Sequence, residues 1–233
     1  MGSDEKFLLI RNYDLFAHVT DEEYEELRLD HHFIEAAKGE YIYFDSAYHN
    51  KLYFLKGGTI KIGYVDEDGK EVIKEIIRQG EVFGQFTLER NNLNGEFAQA
   101  YKADVSLCAF NIEDFEKLLK TKPAIGFHFT KQVGQKLRKL ENRLLNLLNK
   151  DVKTRLVNFL LMLAQEHGNN TMGDEQTVQN FLTHEDIAQL IGSSRQTVTT
   201  LLNELEAAGL VQVTRQQIKI PSVKNLQKRL AVS

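Results

Sequence analysis

The chain has 233 residues, 42% hydrophobic and 27% charged, with two prolines and a net charge of −4; this is a globular composition, long enough for one large domain or two small ones of about 100–200 residues each. The longest stretch without Asp, Glu, Lys or Arg runs ten residues, Leu156 to Gln165, against the roughly 20 apolar residues of a spanning helix, so no membrane partner is expected. One cysteine, Cys108, excludes an intrachain disulfide and any zinc or iron–sulfur site ligated by several cysteines of one chain.

The N-terminus carries Asp4, Glu5 and Lys6 before a short apolar run, which is not the pattern of a cleavable signal. With the lone cysteine, this points to a reducing cytoplasm. Aromatic residues then dominate: of 22 Phe and Tyr, 20 lie before residue 130. Short apolar runs at 41–44, 52–55, 59–62, 72–77 and 105–110 are punctuated by Gly39, Gly57-Gly58, Asp68-Gly69 and Gly80. Strands at such spacing predict an antiparallel sandwich or jelly roll, with a hairpin at Asp68-Gly69.

After residue 111 the period becomes helical. Asp114, Phe115, Leu118 and Leu119 predict a short helix ending near Pro123. Val133, Leu137, Leu140, Leu144 and Leu147 then follow at intervals of 4, 3, 4 and 3, the seam of a two-stranded coiled coil. An amphipathic helix packed on its own domain would want a broader stripe, so dimerisation is the expected use. A second helix should bury Val152, Leu156, Phe159, Leu160 and Leu163, and Gly168 to Gln176 is polar enough to predict a loop. The expected division is 1–122 for the roll, 123–150 for the dimerisation helix and hinge, and 151–233 for the remainder.

Residues 183–205 bear most directly on function. Thr183 with Asp186 predicts a helix start, Ile187, Leu190 and Ile191 an inward face, and Gly192 a tight turn. Ser194 can cap a second helix that buries Val198, Leu201, Leu202 and Leu205. Arg195, Gln196, Thr199, Thr200 and Asn203 are left on the other face. This is a helix–turn–helix whose second helix reads a DNA major groove. Arg can donate twice to guanine O6 and N7, Gln can pair with adenine, and Thr can meet a methyl or a phosphate. A merely solvated face would favour Lys and Glu, whereas this one holds no acid before Glu204. Leu210–Val213 and Ile218–Ile220 then suit a hairpin wing around Thr214–Gln217, from which Arg215 and Lys219 can approach phosphates. From Arg215 onward there are five positive charges and no acid, so a basic face coexists with a negative total charge.

These residues resemble the cyclic-AMP receptor protein/FNR (CRP/FNR) family of bacterial transcription regulators over essentially the full length. The stretches that carry the resemblance are Gly57-Gly58-Thr59-Ile60-Lys61-Ile62, Gly80-Glu81-Val82-Phe83-Gly84, the heptad helix and Ile191-Gly192-Ser193-Ser194-Arg195-Gln196-Thr197-Val198. The resemblance implies an α+β chain: a cyclic-nucleotide-binding-like β-roll (jelly roll), a long dimerisation helix and a C-terminal winged helix–turn–helix. It implies a homodimer on a palindromic operator, with double-stranded DNA and RNA polymerase as partners and no catalysis. In relatives, the position matching Arg195 reads a guanine, and those matching Thr183, Ser194 and Thr197 touch phosphates or cap helices.

The effector region departs from the family pattern. Nucleotide-binding relatives carry Gly-Glu and, about ten residues later, an Arg that neutralises the cyclic phosphate, followed by Ser or Thr and Ala. Here Gly84 is followed by Gln85, and the later stretch is Gly95-Glu96-Phe97-Ala98. A carboxylate or phenyl ring cannot supply the charge-assisted bond that a guanidinium gives. Cyclic nucleotides are therefore not the expected effector, and any effector is a small molecule these residues do not identify. Haem would have to draw on His18, His31, His32, His49 or His128, but adjacent His31 and His32 on a strand would face opposite sides and cannot chelate one metal, so surface or satisfied histidines are the expected reading. No cofactor or metal is expected. A regulatory module without DNA contact is opposed by residues 183–205, and a jelly-roll metalloenzyme lacks clustered ligands.

Overall fold

A computed structural model describes residues 20, 31–44, 50–84, 86, 95–170, 174–180 and 182–229. The chain divides into two compact units, Met1–Arg138 and Lys139–Ser233.

The first unit contains two antiparallel four-stranded sheets. One has the order β1 (His31–Ala36), β8 (Val105–Asn111), β3 (Lys51–Gly57), β6 (Val82–Gly84). The other runs β2 (Tyr41–Phe44), β7 (Glu96–Ala100), β4 (Thr59–Val65), β5 (Glu71–Arg78). Strand β3 is buried on both faces, which is why it reads as an unbroken apolar run. Tyr53 and Leu55 point into a core shared with the second sheet through Ile60, Ile62 and Ala98. Leu52 and Phe54 point the other way, into a core with Phe110, Phe115 and Phe129. Strand β8 alternates likewise: Leu107 and Ala109 join the first core, Cys108 and Phe110 the second.

The expected hairpin forms between β4 and β5, its turn closed by the Gly69 amide donating to the Asp66 carbonyl at 2.9 Å. Gly84 ends β6 at φ +97°, and a Cβ there would come within 2.5 Å of the Lys51 carbonyl oxygen. Only glycine accepts both that dihedral and that contact. Helix α1 (Ile112–Thr121) and helix α2 (Pro123–Asn149) follow. Ile125 and Phe129 of α2 are buried in the second core, and Val133 is partly buried against it.

The second unit includes the end of α2 and helix α3 (Val152–His167), capped by Asp151, whose carboxylate accepts from the Thr154 amide at 2.7 Å. Leu156, Leu160 and Leu163 of α3 are buried as expected. Val152 and Phe159 are only half-buried, and Val157 is buried in addition. Helices α4 (His184–Ile191) and α5 (Arg195–Ala207) come next. They precede a small antiparallel sheet ordered β11 (Gln212–Val213), β12 (Gln217–Ile220), β10 (Gln176–Gln179), β9 (Asn169–Asn170). Helix α6 (Val223–Lys228) follows. The segment expected as a loop, Gly168 to Gln176, thus contains β9 and the first residue of β10. Its pairing partner β12 lies some 40 residues away in sequence, and Val178 is the one fully buried residue of β10.

Candidate nucleic-acid interface and effector region

Helix α4 opens with a capping box: the Thr183 hydroxyl accepts from the Asp186 amide at 3.1 Å, and the Asp186 carboxylate accepts from the Thr183 amide at 2.6 Å. Gly192 closes it in the left-handed region, φ +67°, where a Cβ would lie 2.7 Å from the Leu147 side chain. Arg155 holds this turn from outside, donating to the Gly192 carbonyl at 2.9 Å and to the Lys150 carbonyl at 3.1 Å. Ser194 caps α5 by accepting from the Thr197 amide at 3.1 Å, with the two hydroxyl oxygens 2.8 Å apart.

Val198, Leu202 and Leu205 bury α5 on one side, while Leu201 is half-buried. Arg195, Gln196, Thr200 and Asn203 are exposed opposite them. The side chains of Arg195, Gln196 and Asn203 make no hydrogen bond or ion pair among the described residues. Thr199 differs from the sequence expectation. It is half-buried, His184 Nδ1 lies 2.9 Å from its hydroxyl oxygen, and that hydroxyl donates to the Arg195 carbonyl. Its polar group is spent inside the motif. Nothing local in the sequence signals this, because His184 lies fifteen residues away on the preceding helix.

In the wing, Arg215 is exposed at the turn between β11 and β12. Lys219 is instead paired with Glu175 at 2.9 Å across the sheet, which opposes its expected availability for a phosphate. The wing is fastened on two sides. The Val213 amide donates to Glu206 at the end of α5 at 2.7 Å. Asn180 Nδ2 donates to the Thr214 carbonyl at 2.6 Å, and the Asn180 amide to the Gln216 carbonyl at 2.8 Å.

Of the expected dimer residues, Leu137, Leu140 and Leu144 are 57%, 50% and 56% exposed on α2. Leu147 is less so, lying beside Gly192, and Val133 leans on the core of the roll. Leu148 and Leu145, which the 4–3 spacing omits, are also exposed.

In the roll, Gln85 lies outside the described residues. Glu96 and Phe97 point to opposite sides of β7. Glu96 is almost fully buried; one carboxylate oxygen accepts from the Tyr43 hydroxyl at 2.9 Å and the other meets Lys74 Nζ at 2.6 Å. Tyr43 stacks with Tyr53, and Tyr53 with Phe83, at ring separations of 5.8 and 4.9 Å. Burial first, and then the neighbouring Glu96 charge, hold the Tyr43 hydroxyl protonated far above the usual tyrosine range. It is thus a fixed donor. Phe97 is buried between Tyr41 and Phe44, with Lys61 Nζ 5.3 Å over its ring. Ala98 is fully buried, and its place in the ladder lies between Tyr43 and Ile62.

Cys108 is buried, and desolvation pushes its thiol up to about 11. Among the described residues no group of three His, Cys, Asp or Glu is placed to hold a metal ion. His18 and His49 lie outside those residues. No described helix is long and apolar enough to cross a membrane.

A two-sheet roll and a winged helix–turn–helix on one chain define a class of DNA-binding regulator with a sensor-type domain. Residues 33–122 match the family model of the cyclic nucleotide-binding domain, and residues 154–229 that of the Crp-like helix-turn-helix domain. The chain is 30% identical to the global nitrogen regulator of Nostoc sp. over 189 residues, 81% of this chain and 84% of that protein. It is 31% identical to the cAMP-activated global transcriptional regulator CRP of Pasteurella multocida over 161 residues, 69% and 76% of the two chains. Among solved structures, a CooA mutant from Carboxydothermus hydrogenoformans superimposes with a TM-score of 0.77 at 23% identity, covering 94% of this chain and 95% of that one. FixK2 from Bradyrhizobium japonicum gives 0.72 at 21%, covering 86% and 97%; these two likenesses bear on the fold. The chain belongs to the CRP/FNR family of transcription regulators. It is a DNA-binding regulator of that type.

Proposed function

We propose that two copies join along α2 through Leu137, Leu140, Leu144 and Leu147, with the exposed Leu148 beside them and Val133 at the edge. The pair binds a palindrome whose half-sites are about 34 Å apart, one turn of the duplex, with one α5 in each major groove. Arg195 reads a guanine and Gln196 an adenine, with Thr200 and Asn203 along the same face and Thr199 bracing it. Thr183, Ser194, Thr197 and Arg215 lie toward the phosphates, where contacts set position rather than sequence. Lys219 reaches a phosphate only by leaving Glu175. The chain acts in the cytoplasm, with RNA polymerase as partner, and it performs no catalysis.

The observation that carries this reading is the exposed row of Arg195, Gln196 and Asn203, whose side chains make no hydrogen bond or ion pair among the described residues. The roll supports a narrower statement. Glu96 or Phe97, both buried, stands where nucleotide binders carry the Arg, so a cyclic phosphate would meet a carboxylate or a phenyl ring in place of a cation. Losing the neutralising Arg weakens such a ligand by roughly 100-fold or more. The protein either binds its operator without a ligand or answers a small molecule of another kind through the same roll.

Selection from random-sequence DNA, followed by binding with and without cyclic AMP, tests both parts. A palindrome bound equally with and without the nucleotide is expected. Saturable low-micromolar cyclic AMP binding that raises operator affinity would overturn the effector statement. Leu140→Glu places two charges at a desolvated seam, where each unpaired charge costs about 3–5 kcal/mol. It should yield a monomer with greatly weakened operator binding. A monomer that binds the full palindrome as tightly as the wild type would refute the dimer.

A further inference from the structure

The wing starts from a strand of two residues. Strand β11 pairs with β12 only at Gln212 with Lys219 and at Val213 with Ile218. The base of the wing is held by the pairing of β12 with β10 and by the Val213 amide donating to Glu206 of α5, whereas the turn at Thr214–Gln216 extends beyond both. Thr214 closes the turn on itself: its hydroxyl oxygen accepts from the Gln217 amide at 3.0 Å and its amide donates to the Gln217 carbonyl at 2.9 Å. Neither bond ties the turn to the reader motif.

Asn180 makes that tie at the turn, as the Val213–Glu206 bond does at the base of the wing. It stands between β10 and α4, half-buried, and uses three polar groups in three directions. Its side-chain amide donates to the Thr214 carbonyl at 2.6 Å, and its backbone amide to the Gln216 carbonyl at 2.8 Å. Its side-chain oxygen accepts from the Leu182 amide at 3.0 Å, one residue before the Thr183 cap of α4. Leu182 is itself buried. One planar carboxamide therefore spans from the wing turn to the start of the helix–turn–helix, and Arg215 sits on the turn it holds.

We propose that Asn180 is a positioning residue for DNA binding: it sets the wing against the reader motif so that Arg215 meets the phosphate backbone while Arg195 is in the groove. The inference rests on the reading of Arg215 as a phosphate contact given under Proposed function. Asn180 itself touches no DNA. Its loss is felt as the loss of a contact made by a neighbour, without loss of base discrimination.

Asn180→Ser separates the two halves of the side chain. A serine hydroxyl still accepts from the amide two residues on, so the start of α4 keeps its bond, but it is too short to reach the Thr214 carbonyl, and no charge is introduced. Full-length protein is titrated with operator DNA over a range of salt concentrations, beside Arg215→Ala and the double variant. Melting temperature and discrimination at the base pair read by Arg195 are measured in parallel.

Asn180→Ser should weaken operator binding about three- to tenfold at low salt. It should flatten the slope of log K against log salt by about one, the value of one lost phosphate contact. Arg215→Ala should do the same, and the double variant no more than either, as expected of two residues acting through one contact. Base discrimination should be unchanged in all three. A flattened slope in Arg215→Ala with an unchanged slope in Asn180→Ser overturns the positioning role alone. An unchanged slope in Arg215→Ala overturns the wing contact and this inference with it. Altered base discrimination in Asn180→Ser would show a general disturbance of the motif, and also overturns the proposal.

Discussion

Two polar regions of this chain put their side chains to opposite uses. On the exposed face of α5, Arg195, Gln196 and Asn203 make no side-chain bonds among the described residues and are backed by the packed Val198, Leu202 and Leu205. In the roll, Tyr43 and Lys74 each donate to Glu96, and the carboxylate and phenol are buried. A surface that must exchange water for a base edge keeps its donors and acceptors uncommitted, on a rigid apolar base. A buried polar group must be satisfied where it stands, because leaving it unmet costs about 1–3 kcal/mol. The first arrangement is ready for a partner outside the chain. The second has already found its partners inside.

Crossed substitutions should break or sharpen this contrast. Glu96→Ala deprives the Tyr43 hydroxyl of its buried acceptor and opens a small void, together about 2–4 kcal/mol of stability. Lys74, about half exposed, loses little by returning to water. The melting temperature should fall by several degrees, while preference among operator sequences is retained. An unchanged melting temperature would mean that the network contributes nothing. Arg195→Ala should do the reverse: melting as in the wild type, but about 1–3 kcal/mol of affinity lost at one base pair, with discrimination relaxed there alone. A uniform loss across all sequences would reassign Arg195 to the backbone.

The smallest effect concerns a cap. The Thr154 amide, bonded to the Asp151 carboxylate, holds that carboxyl below the usual aspartate value of 3.8. A lowered folded-state value adds stability that is present above the unfolded value and lost as pH falls through the folded one. Asp151→Asn, which caps comparably without ionising, should match the wild type at neutral pH. It should retain more helix below about pH 4, as read by circular dichroism on acid titration. Identical acid profiles would remove Asp151 as a source of that pH dependence.

The sequence announced the helix–turn–helix because its signals are local: caps at Thr183 and Ser194, a glycine at 192 and leucines in helical register between them. The doubly buried β3 and β8 were legible as apolar runs for the same reason. Strand β7 was not, since Glu96-Phe97-Ala98-Gln99-Ala100 has weak strand propensity and owes its place to β2 and β4 on either side. Strand β10 hid in a polar segment because Val178 is its one buried residue. At the candidate interface, the side-chain commitments of two expected residues were not legible. Thr199 is taken by His184 and Lys219 by Glu175, partners that adjacency in the chain does not reveal. The Asn180 link did have a local sign, an Asn two residues before a buried Leu at a helix start, but its hold on the wing is long-range.

The turn at Gly192 has a consequence for anyone who would retarget this protein. Its φ of +67° strains any residue but glycine, a Cβ there would also displace the Leu147 methyl, and Arg155 grips its carbonyl, so a side chain at 192 is disfavoured and a longer turn would tear the grip. The frame is closed to variation there. Four residues further on it is open: Gln196 is exposed, as is Asn203 beyond it. Combinatorial libraries confined to Arg195, Gln196, Thr200 and Asn203 should therefore yield well-folded variants with altered operators at high frequency, whereas a library that includes Gly192 should return glycine.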